Sequence, residues 1–425
     1  MQWRDFVTDA ELVALIDRAL RHNRDIKVAA GRIAEARALY RIQQSPLLPE
    51  FDATANGTRS RTPADISVTR TAMTASQFQS HLRAGWEIDL WGKYDSLRDA
   101  ARDRFLATAE ARNAVVTAVV VDVASRYLLE REFAERLALA AESLTTRERA
   151  LHIMTRRFEV GSGSRLEVTQ AATLLAQART AYAALVQERD INRNALALLA
   201  GQPVEIAPAP LSEPNLSTIL VGAPSELLLH RPDLRAAELQ LSAADADIRA
   251  ARAAFFPSIL LTGAFGTASS QLEGLFRGGS ASWNFTPSIS MPLFDGGRTR
   301  AHHDLAVARR VTAIAEYERS VQRAFRDVSD ILVSRRQLAS QISGMQTMQE
   351  QAQERTRLAE RRYETGRSAY LEVLDAQRDL FDTGQRLVQL RRAHLASGIA
   401  LYAALGGAFA GEQPAIPNPR EKLAP

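Results

Sequence analysis

The chain has 425 residues, of which 46 % are hydrophobic and 24 % charged, and its net charge is +4. This composition fits a folded protein with a large buried surface, and basic residues scattered among acidic ones argue against nucleic-acid binding. The chain has no cysteine, which excludes disulfides, thiol catalysis and cysteine-ligated metals.

The N-terminal region begins with QWRDFVTDAEL after Met1, a stretch without an apolar h-region, so no signal peptide is expected in this sequence. No run of eighteen apolar residues occurs, and no transmembrane helix is therefore expected. Helical periodicity covers residues 24–45 and ends before Pro46, and strands are expected at about 47–57 and 76–91.

A long helix is predicted over residues 93–160, because apolar residues recur every three or four positions with no proline or internal glycine between them. At about 1.5 Å per residue, this helix is roughly 100 Å long. The glycine-rich stretch GSGS at 161–164 ends it, and a return helix is expected over 165–200, before Gly201 and Pro203.

The second half of the chain repeats the first. RFEVGSGSRLEVTQA at 157–171 returns as RYETGRSAYLEVLDA at 362–376, an offset of 205 residues that also relates Gly92 to Gly297 and Gly201 to Gly406. The repeat predicts a helix at 235–254, strands at about 256–266 and 282–294, a long helix over 299–365 and a return helix over 369–405. We therefore expect two structural repeats, 1–201 and 225–407, joined by a proline-rich equatorial linker at 202–224 and followed by a proline-rich tail at 408–425.

Two predicted strands alternate apolar and polar residues over an unusual length, in FQSHLRAGWEIDLW at 78–91 and WNFTPSISMPLF at 283–294. Strands of about ten residues, apolar on one side and edged by aromatic residues, are typical of outer-membrane barrels. The half-buried sheet of a soluble protein shows the same alternation and stays open as an alternative. The aromatic girdle expected in a membrane consists of Phe51, Trp86, Trp91, Phe256, Trp283 and Phe294.

Four strands are too few for a barrel made by one chain, since single-chain membrane barrels begin at about eight strands. An open sheet in lipid would leave two edges unpaired, at a cost of several kcal/mol for each backbone group. If these strands lie in a membrane, several copies of the chain must share one barrel.

The motifs together resemble the TolC-like outer-membrane efflux proteins, in particular the drug-exporting lipoprotein branch. The resemblance is carried by WEIDLWGK at 86–93, LLLHRPDLRAAE at 227–238, ARAAFFPSI at 251–259, MPLFDGGR at 291–298 and YETGRSAYLEVLDAQR at 363–378. It implies a mainly α fold with a membrane β part, in which a homotrimer shares one twelve-stranded barrel above a hollow periplasmic α-helical barrel of coiled-coil hairpins. It also implies a leader and a lipidated cysteine, which this sequence does not contain, so the lipid anchor stays open.

The resemblance further implies a passive duct in outer membrane lipid, carrying small molecules such as drugs from the periplasm to the exterior and gated at its periplasmic tip. The implied partners are a periplasmic adaptor (membrane fusion) protein and an inner-membrane RND-type pump, with no cofactor and no metal.

Glu372 and Asp375 are spaced i, i+3 and share one helix face, where a trimer would present six carboxylates in a ring that favours cations. The resemblance places this acidic ring at the channel entrance and implies gate contacts at Glu167 and Tyr363. The nearby arginine of the family falls on Ser368 here, with Arg367 one residue earlier. The resemblance implies adaptor-docking tips at Val160, Gly161, Thr365 and Gly366, although plain hairpin turns would use glycine in the same way.

Other functions leave parts of this pattern unexplained. No histidine pair with metal-ligand spacing, Walker A loop, dinucleotide fingerprint or nucleophile elbow occurs, so an enzyme is not expected. A structural coiled-coil scaffold would explain the long helices but not the alternating strands. Within the family, ducts for type I protein secretion or for metal cations stay open as alternatives.

Overall fold

The computed structural model describes residues 3–7, 9–68, 70–211 and 231–407. Most of the predicted linker, the tail at 408–425 and the first four residues of the motif at 227–238 lie outside the described residues. The helices are α1 (Trp3–Phe6), α2 (Ala10–His22), α3 (Arg24–Gln44), α4 (Lys93–Glu159), α5 (Arg165–Ala200), α6 (Pro232–Ala253), α7 (Arg298–Glu364) and α8 (Tyr370–Ala404). The strands are β1 (Glu50–Thr62), β2 (Met73–Ile88), β3 (Ser258–Ser269) and β4 (Ala281–Ser290).

The predicted fold class is confirmed: the described chain is mainly helical and contains one antiparallel sheet of four strands. Its residues form two compact units. The sheet unit comprises Gly31–Glu110 and Ala236–Arg319, and the hairpin unit comprises the described residues of Met1–Ala30, Ala111–Arg235 and Ser320–Pro425. None of the described helices contains an eighteen-residue window apolar enough to cross a bilayer.

The internal duplication is visible in the backbone. Helices α4 and α7 each have 67 residues, and both their first and their last residues are 205 positions apart. A left-handed glycine recurs at the same offset before each long helix, where φ is +70° at Gly92 and +87° at Gly297. The chain therefore makes the same helix–turn–helix element twice: α4 and α5 form the first hairpin, and α7 and α8 form the second.

The sheet has the strand order β1-β2-β3-β4, and its register separates an apolar face from a polar face. One row of paired residues runs Ala53, Leu82, Phe265 and Trp283 across the four strands. The neighbouring row, which faces the other side because side chains alternate along a strand, runs Asp52, Arg83, Ala264 and Asn284. The alternation read from the sequence is therefore confirmed.

The apolar face of the sheet is not covered within the described chain. Trp283 is 77 % exposed and Phe265 68 % exposed, and Phe51, Leu82, Phe285 and Ile289 are also exposed. A half-buried soluble sheet, the alternative reading of the alternation, would hide these side chains against its own helices. The face is an extended apolar surface of the kind that binds a partner or lipid.

The strand boundaries differ from the expected ones at both ends of the sheet. β1 continues past Gly57 to Thr62, because the backbone ladder with β2 persists where the side chains lose their alternation. β2 ends at Ile88, three residues early, since Asp89 accepts a hydrogen bond from the backbone N–H of Asp95 at the start of α4.

Three of the six expected girdle residues therefore lie just outside the strands, namely Trp91, Phe256 and Phe294. Trp91 stacks on Phe256 with 4.8 Å between the ring centroids, and its indole nitrogen donates a hydrogen bond to the Pro257 carbonyl. The aromatic pair thus forms at the end of the sheet where β2 ends and β3 begins.

The core of the hairpin unit forms where the amphipathic helix α2 packs on α4. Leu12, Ile16 and Ala19 are buried against apolar residues of α4 such as Val123. A hydrogen bond also joins the two helices at the start of α2, where the Tyr127 hydroxyl on α4 donates to the Asp9 carboxylate over 2.6 Å. Burial, with the help of that carboxylate, raises the pKa of Tyr127.

Candidate functional site

The two helix turns that the sequence singled out have the same hydrogen-bond pattern. In the first turn the backbone N–H of Gly161 donates to Phe158 and that of Ser162 to Arg157. In the second turn the backbone N–H of Gly366 donates to Tyr363. The N–H of Arg367 donates to Arg362 there, so all four residues lie 205 positions after their counterparts. Both glycines have a left-handed φ, +76° and +70°, which a side chain would strain.

The expected docking tips lie at these turns and are exposed. Val160 is 77 % exposed, an unusual position for a branched apolar side chain. Thr365 turns its hydroxyl back onto the carbonyls of Arg361 and Arg362, which closes the last turn of α7.

Glu167, one of the expected gate residues, closes the N-terminus of α5. Its carboxylate accepts a hydrogen bond of 2.7 Å from the backbone N–H of Ser164, and the Ser164 hydroxyl accepts one from the backbone N–H of Glu167. This reciprocal arrangement is a capping box. The local hydrogen bonds of Glu167 therefore have a structural role in addition to any contact across the gate.

Tyr363, the other expected gate residue, joins the two hairpins. Its hydroxyl group is in hydrogen-bond contact with the Arg157 guanidinium, whose central carbon lies 5.9 Å from the centre of the tyrosine ring. The Tyr363 ring also packs on Tyr370, with 4.8 Å between the ring centroids. Burial raises the pKa of Tyr370, so this phenol stays neutral.

Arg157 was missed by the sequence reasoning, although it opens the repeated motif. Its counterpart in the second repeat is Arg362, and the two arginines have different partners: Arg157 contacts Tyr363, whereas Arg362 lies 3.6 Å from Glu372. The shared position of the two arginines was the available signal. Ser368, onto which the arginine of the family falls, has a buried hydroxyl that finds no partner in the described chain.

Glu372 and Asp375, the residues of the expected acidic ring, lie near the start of α8, and both side chains are half exposed. Each carboxylate has a basic neighbour, Arg362 at 3.6 Å from Glu372 and Arg378 at 3.7 Å from Asp375. Exposed pairs of this kind are weak, typically below about 1 kcal/mol, and are screened by salt. The opposite side of the same turn is fully packed, with Val373, Leu374 and Ala376 buried.

The polar face of the sheet carries a second feature that the sequence did not indicate. The imidazole of His81 on β2 extends across β3 and lies 2.8 Å from the hydroxyl of Ser282 on β4. The residue between them in the register is Gly266. A Cβ atom there would lie 2.8 Å from His81 Cδ2 and 2.0 Å from the Ser80 carbonyl oxygen, so only glycine fits.

Comparisons with known proteins agree with this architecture. The family model described as outer membrane efflux protein matches residues 15–202 and 223–407. The chain is 41 % identical over 413 residues to the solvent efflux pump outer membrane protein SrpC of Pseudomonas putida, covering 96 % of this chain and 88 % of that protein. It is 40 % identical over 414 residues to the outer membrane protein OprJ of Pseudomonas aeruginosa, covering 96 % and 86 %.

A solved structure shows the same fold. The open state of the Neisseria gonorrhoeae MtrE outer membrane channel superposes with a TM-score of 0.86 at 34 % identity, covering 96 % of this chain and 91 % of that one. The fold and its site define an outer-membrane channel of an efflux pump. The chain belongs to the outer membrane efflux protein family.

The family assignment confirms the expected localisation in the bacterial outer membrane and the expected class of function. The family consists of efflux channels and not of enzymes. The scaffold alternative, which left the alternating strands unexplained, is thereby replaced by a channel.

Proposed function

We propose that this chain works as a homotrimer in which three copies of the four-stranded sheet close one twelve-stranded barrel in outer membrane lipid. The supporting observation is the sheet itself, whose apolar face is exposed and whose outer strands β1 and β4 each pair with one neighbour in the described chain. In lipid the unpaired edges would be costly, and pairing β4 of one copy with β1 of the next removes them.

The polar face then lines the lumen. It carries Asp52, His81, Arg83 and Asn284, a mixture of charged and amide groups that suits a water-filled duct. The apolar face, with Trp283 and the other aromatic girdle residues, faces lipid. The duct transports passively.

The partners of this duct are a periplasmic adaptor protein and an inner-membrane RND-type pump, which together form a tripartite system. Its cargo is small organic molecules, because the curated relatives are named for the efflux of solvents, toluene and antibiotics. The exposed turns at Val160, Gly161, Thr365 and Gly366 are the docking tips for the adaptor.

The entrance is gated by the contacts between the two hairpins. Tyr363 on the second hairpin and Glu167 on the first are its latch residues, and Glu372 and Asp375 form the acidic ring. Glu167→Ala is expected to raise the resting conductance of the channel. Ser164→Ala is the matched control, because it breaks the same capping box but keeps the carboxylate; an equal effect of both changes would reduce Glu167 to a helix cap.

The shared barrel is tested by cysteine cross-linking, which is clean because the chain has no cysteine. A fixed cysteine at Asn284 on β4 is combined in turn with cysteines at Asp52, Thr54 and Asn56 on β1, and the protein is oxidised in outer-membrane vesicles. We expect reducible dimers and trimers at one or two of the three positions. A cysteine at Gln79 on the central strand β2 is the control, and only monomers at every β1 position would contradict the shared barrel.

A further inference from the structure

Arg147 is a buried arginine of α4 whose charge is only partly satisfied. It is 5 % exposed, and its Nη2 donates one hydrogen bond, of 3.3 Å, to the backbone carbonyl of Leu374 on α8. Its Nη1 is buried and has no hydrogen-bond partner in the described part of the chain. Buried charges are normally paired and fully hydrogen-bonded, so this guanidinium is unusual.

The charges around Arg147 do not compensate for its burial. Burial lowers the pKa of Arg147; the Asp375 carboxylate and the Tyr370 phenol oppose this effect, and Arg378 adds to it. Arg147 lines a cavity of about 340 Å³, and two further carboxylates, those of Glu142 and Glu360, line it as well.

Neither of these two carboxylates forms an ion pair with Arg147 among the described residues. Glu360 instead accepts a hydrogen bond of 3.0 Å from the amide nitrogen of Gln377. The amide oxygen of Gln377 is itself buried without a described partner and lines the same cavity. An unsatisfied donor and an unsatisfied acceptor thus border one cavity between α4, α7 and α8.

Arg147 acts on the segment of the proposed entrance. Its hydrogen-bond acceptor Leu374 directly precedes Asp375 of the acidic face. Its charge also acts on Tyr370, whose ring packs on the latch residue Tyr363. Through these neighbours, Arg147 connects the first hairpin to the part of the second hairpin that carries the acidic ring and the latch.

We propose that Arg147 is a positioning residue for the entrance. Because its charge is under-satisfied, the resting packing of α8 on α4 is less stable than it would be with an apolar residue at position 147. The inference rests on the proposed gating function. A small displacement of α8 relative to α4 lets a cavity carboxylate or solvent reach Nη1, so the charge favours this displacement. The first turn of α8, with Glu372 and Asp375, moves with it.

If Arg147 were purely a structural anchor, the opposite effect would be expected. The direction of the change in channel opening therefore distinguishes the two roles. If Arg147 only held the hairpins together, its removal would loosen the packing and open the channel. An apolar side chain of similar length in place of a poorly paired buried charge is often neutral or stabilising. We therefore expect Arg147→Met to tighten the packing and to reduce opening.

The test compares Arg147→Met and Arg147→Lys with Arg149→Met, which changes an exposed arginine two residues further along the same helix. Thermal midpoints of the purified protein in detergent and resting conductance in planar bilayers are measured for each. We expect Arg147→Met to raise the midpoint by about 2 °C and to lower the resting conductance several-fold. Arg147→Lys, which keeps a charge, is expected to stay near the wild type, as is Arg149→Met.

Three outcomes would overturn the inference. They are a lower midpoint or loss of assembled protein in Arg147→Met, a higher conductance of this variant, and no change in either quantity. In each of these cases a wild-type protein that conducts leaves the proposed channel function intact. A wild-type protein without current contradicts the channel function first, and the positioning role with it.

Discussion

Gly266 offers the sharpest test of the sheet register, because alanine at this position cannot be accommodated without moving a strand. The added Cβ would lie 2.0 Å from the Ser80 carbonyl oxygen and 2.7 Å from His81 Cα, both backbone atoms of the neighbouring strand. Neighbouring strands are only about 4.8 Å apart, so β2 and β3 must separate locally. Overpacking typically costs about 1–3 kcal/mol, and a clash between two backbones belongs at or above the upper limit.

The matched control is Gly85→Ala, in the adjacent strand β2, where a Cβ meets nothing within 4 Å. Alanine there is expected to be neutral or to stabilise by about 0.5–1 kcal/mol, since glycine is unfavourable inside a strand. Purified variants in detergent are heated while the β-sheet signal in circular dichroism is followed. Equal melting of Gly266→Ala and Gly85→Ala would refute the register and the close approach of His81.

Three further predictions concern the entrance and the acid stability of the hairpin unit. Tyr363→Phe keeps the aromatic packing but removes the hydroxyl contact with Arg157; a loss of about 1 kcal/mol shifts the closed–open balance about fivefold, which single-channel recording would show as higher resting conductance. Asp375→Asn removes half of the proposed six-carboxylate ring and should bring the reversal potential in a salt gradient closer to zero. Burial alone would raise the pKa of Asp233, but the hydrogen bonds and charge of Arg231 outweigh it and hold that pKa below its usual value. Asp233 therefore stabilises the folded chain above the ordinary aspartate pKa, and this contribution is lost as the pH falls through the lowered pKa. Between about pH 5 and pH 2, the free energy of unfolding should therefore decrease more in the wild type than in Asp233→Asn.

Unchanged conductance in Tyr363→Phe would exclude the hydroxyl as part of the latch. An unaltered reversal potential in Asp375→Asn would argue against an acidic constriction. Parallel acid-unfolding curves for the wild type and Asp233→Asn would show that the pair with Arg231 has no net effect on stability.

Much of the fold followed from the sequence because its signals are local. The glycine and proline residues between the helices predicted the ends of α4, α5 and α7 to within one residue of the observed ends. A residue in the left-handed conformation, such as Gly161 or Gly366, ends a helix wherever it occurs. Period-two alternation likewise identified the strands. β1 was predicted too short because the stretch from Gly57 to Thr62 pairs through its backbone without an apolar face.

The site was only partly predictable, because its contacts join residues that are far apart in the chain. Arg157 and Tyr363 are 206 positions apart and meet only when the two hairpins pack together. The burial of Arg147 leaves no trace in the helical pattern, where a long basic side chain is usually solvated. The shared helix face of Glu372 and Asp375 was predictable because i, i+3 spacing on one helix is a local property, but their arginine partners were not.

The electrical behaviour of the purified protein in planar lipid bilayers tests the proposed channel most directly. A trimer that shares one barrel should insert as a unit and produce discrete, uniform current steps with a preference for cations, small at rest because the entrance is closed. Addition of divalent or trivalent cations on the entrance side should reduce these steps. A preparation that inserts as assembled trimers yet passes no current, even with Tyr363→Phe introduced, would contradict the channel proposed here.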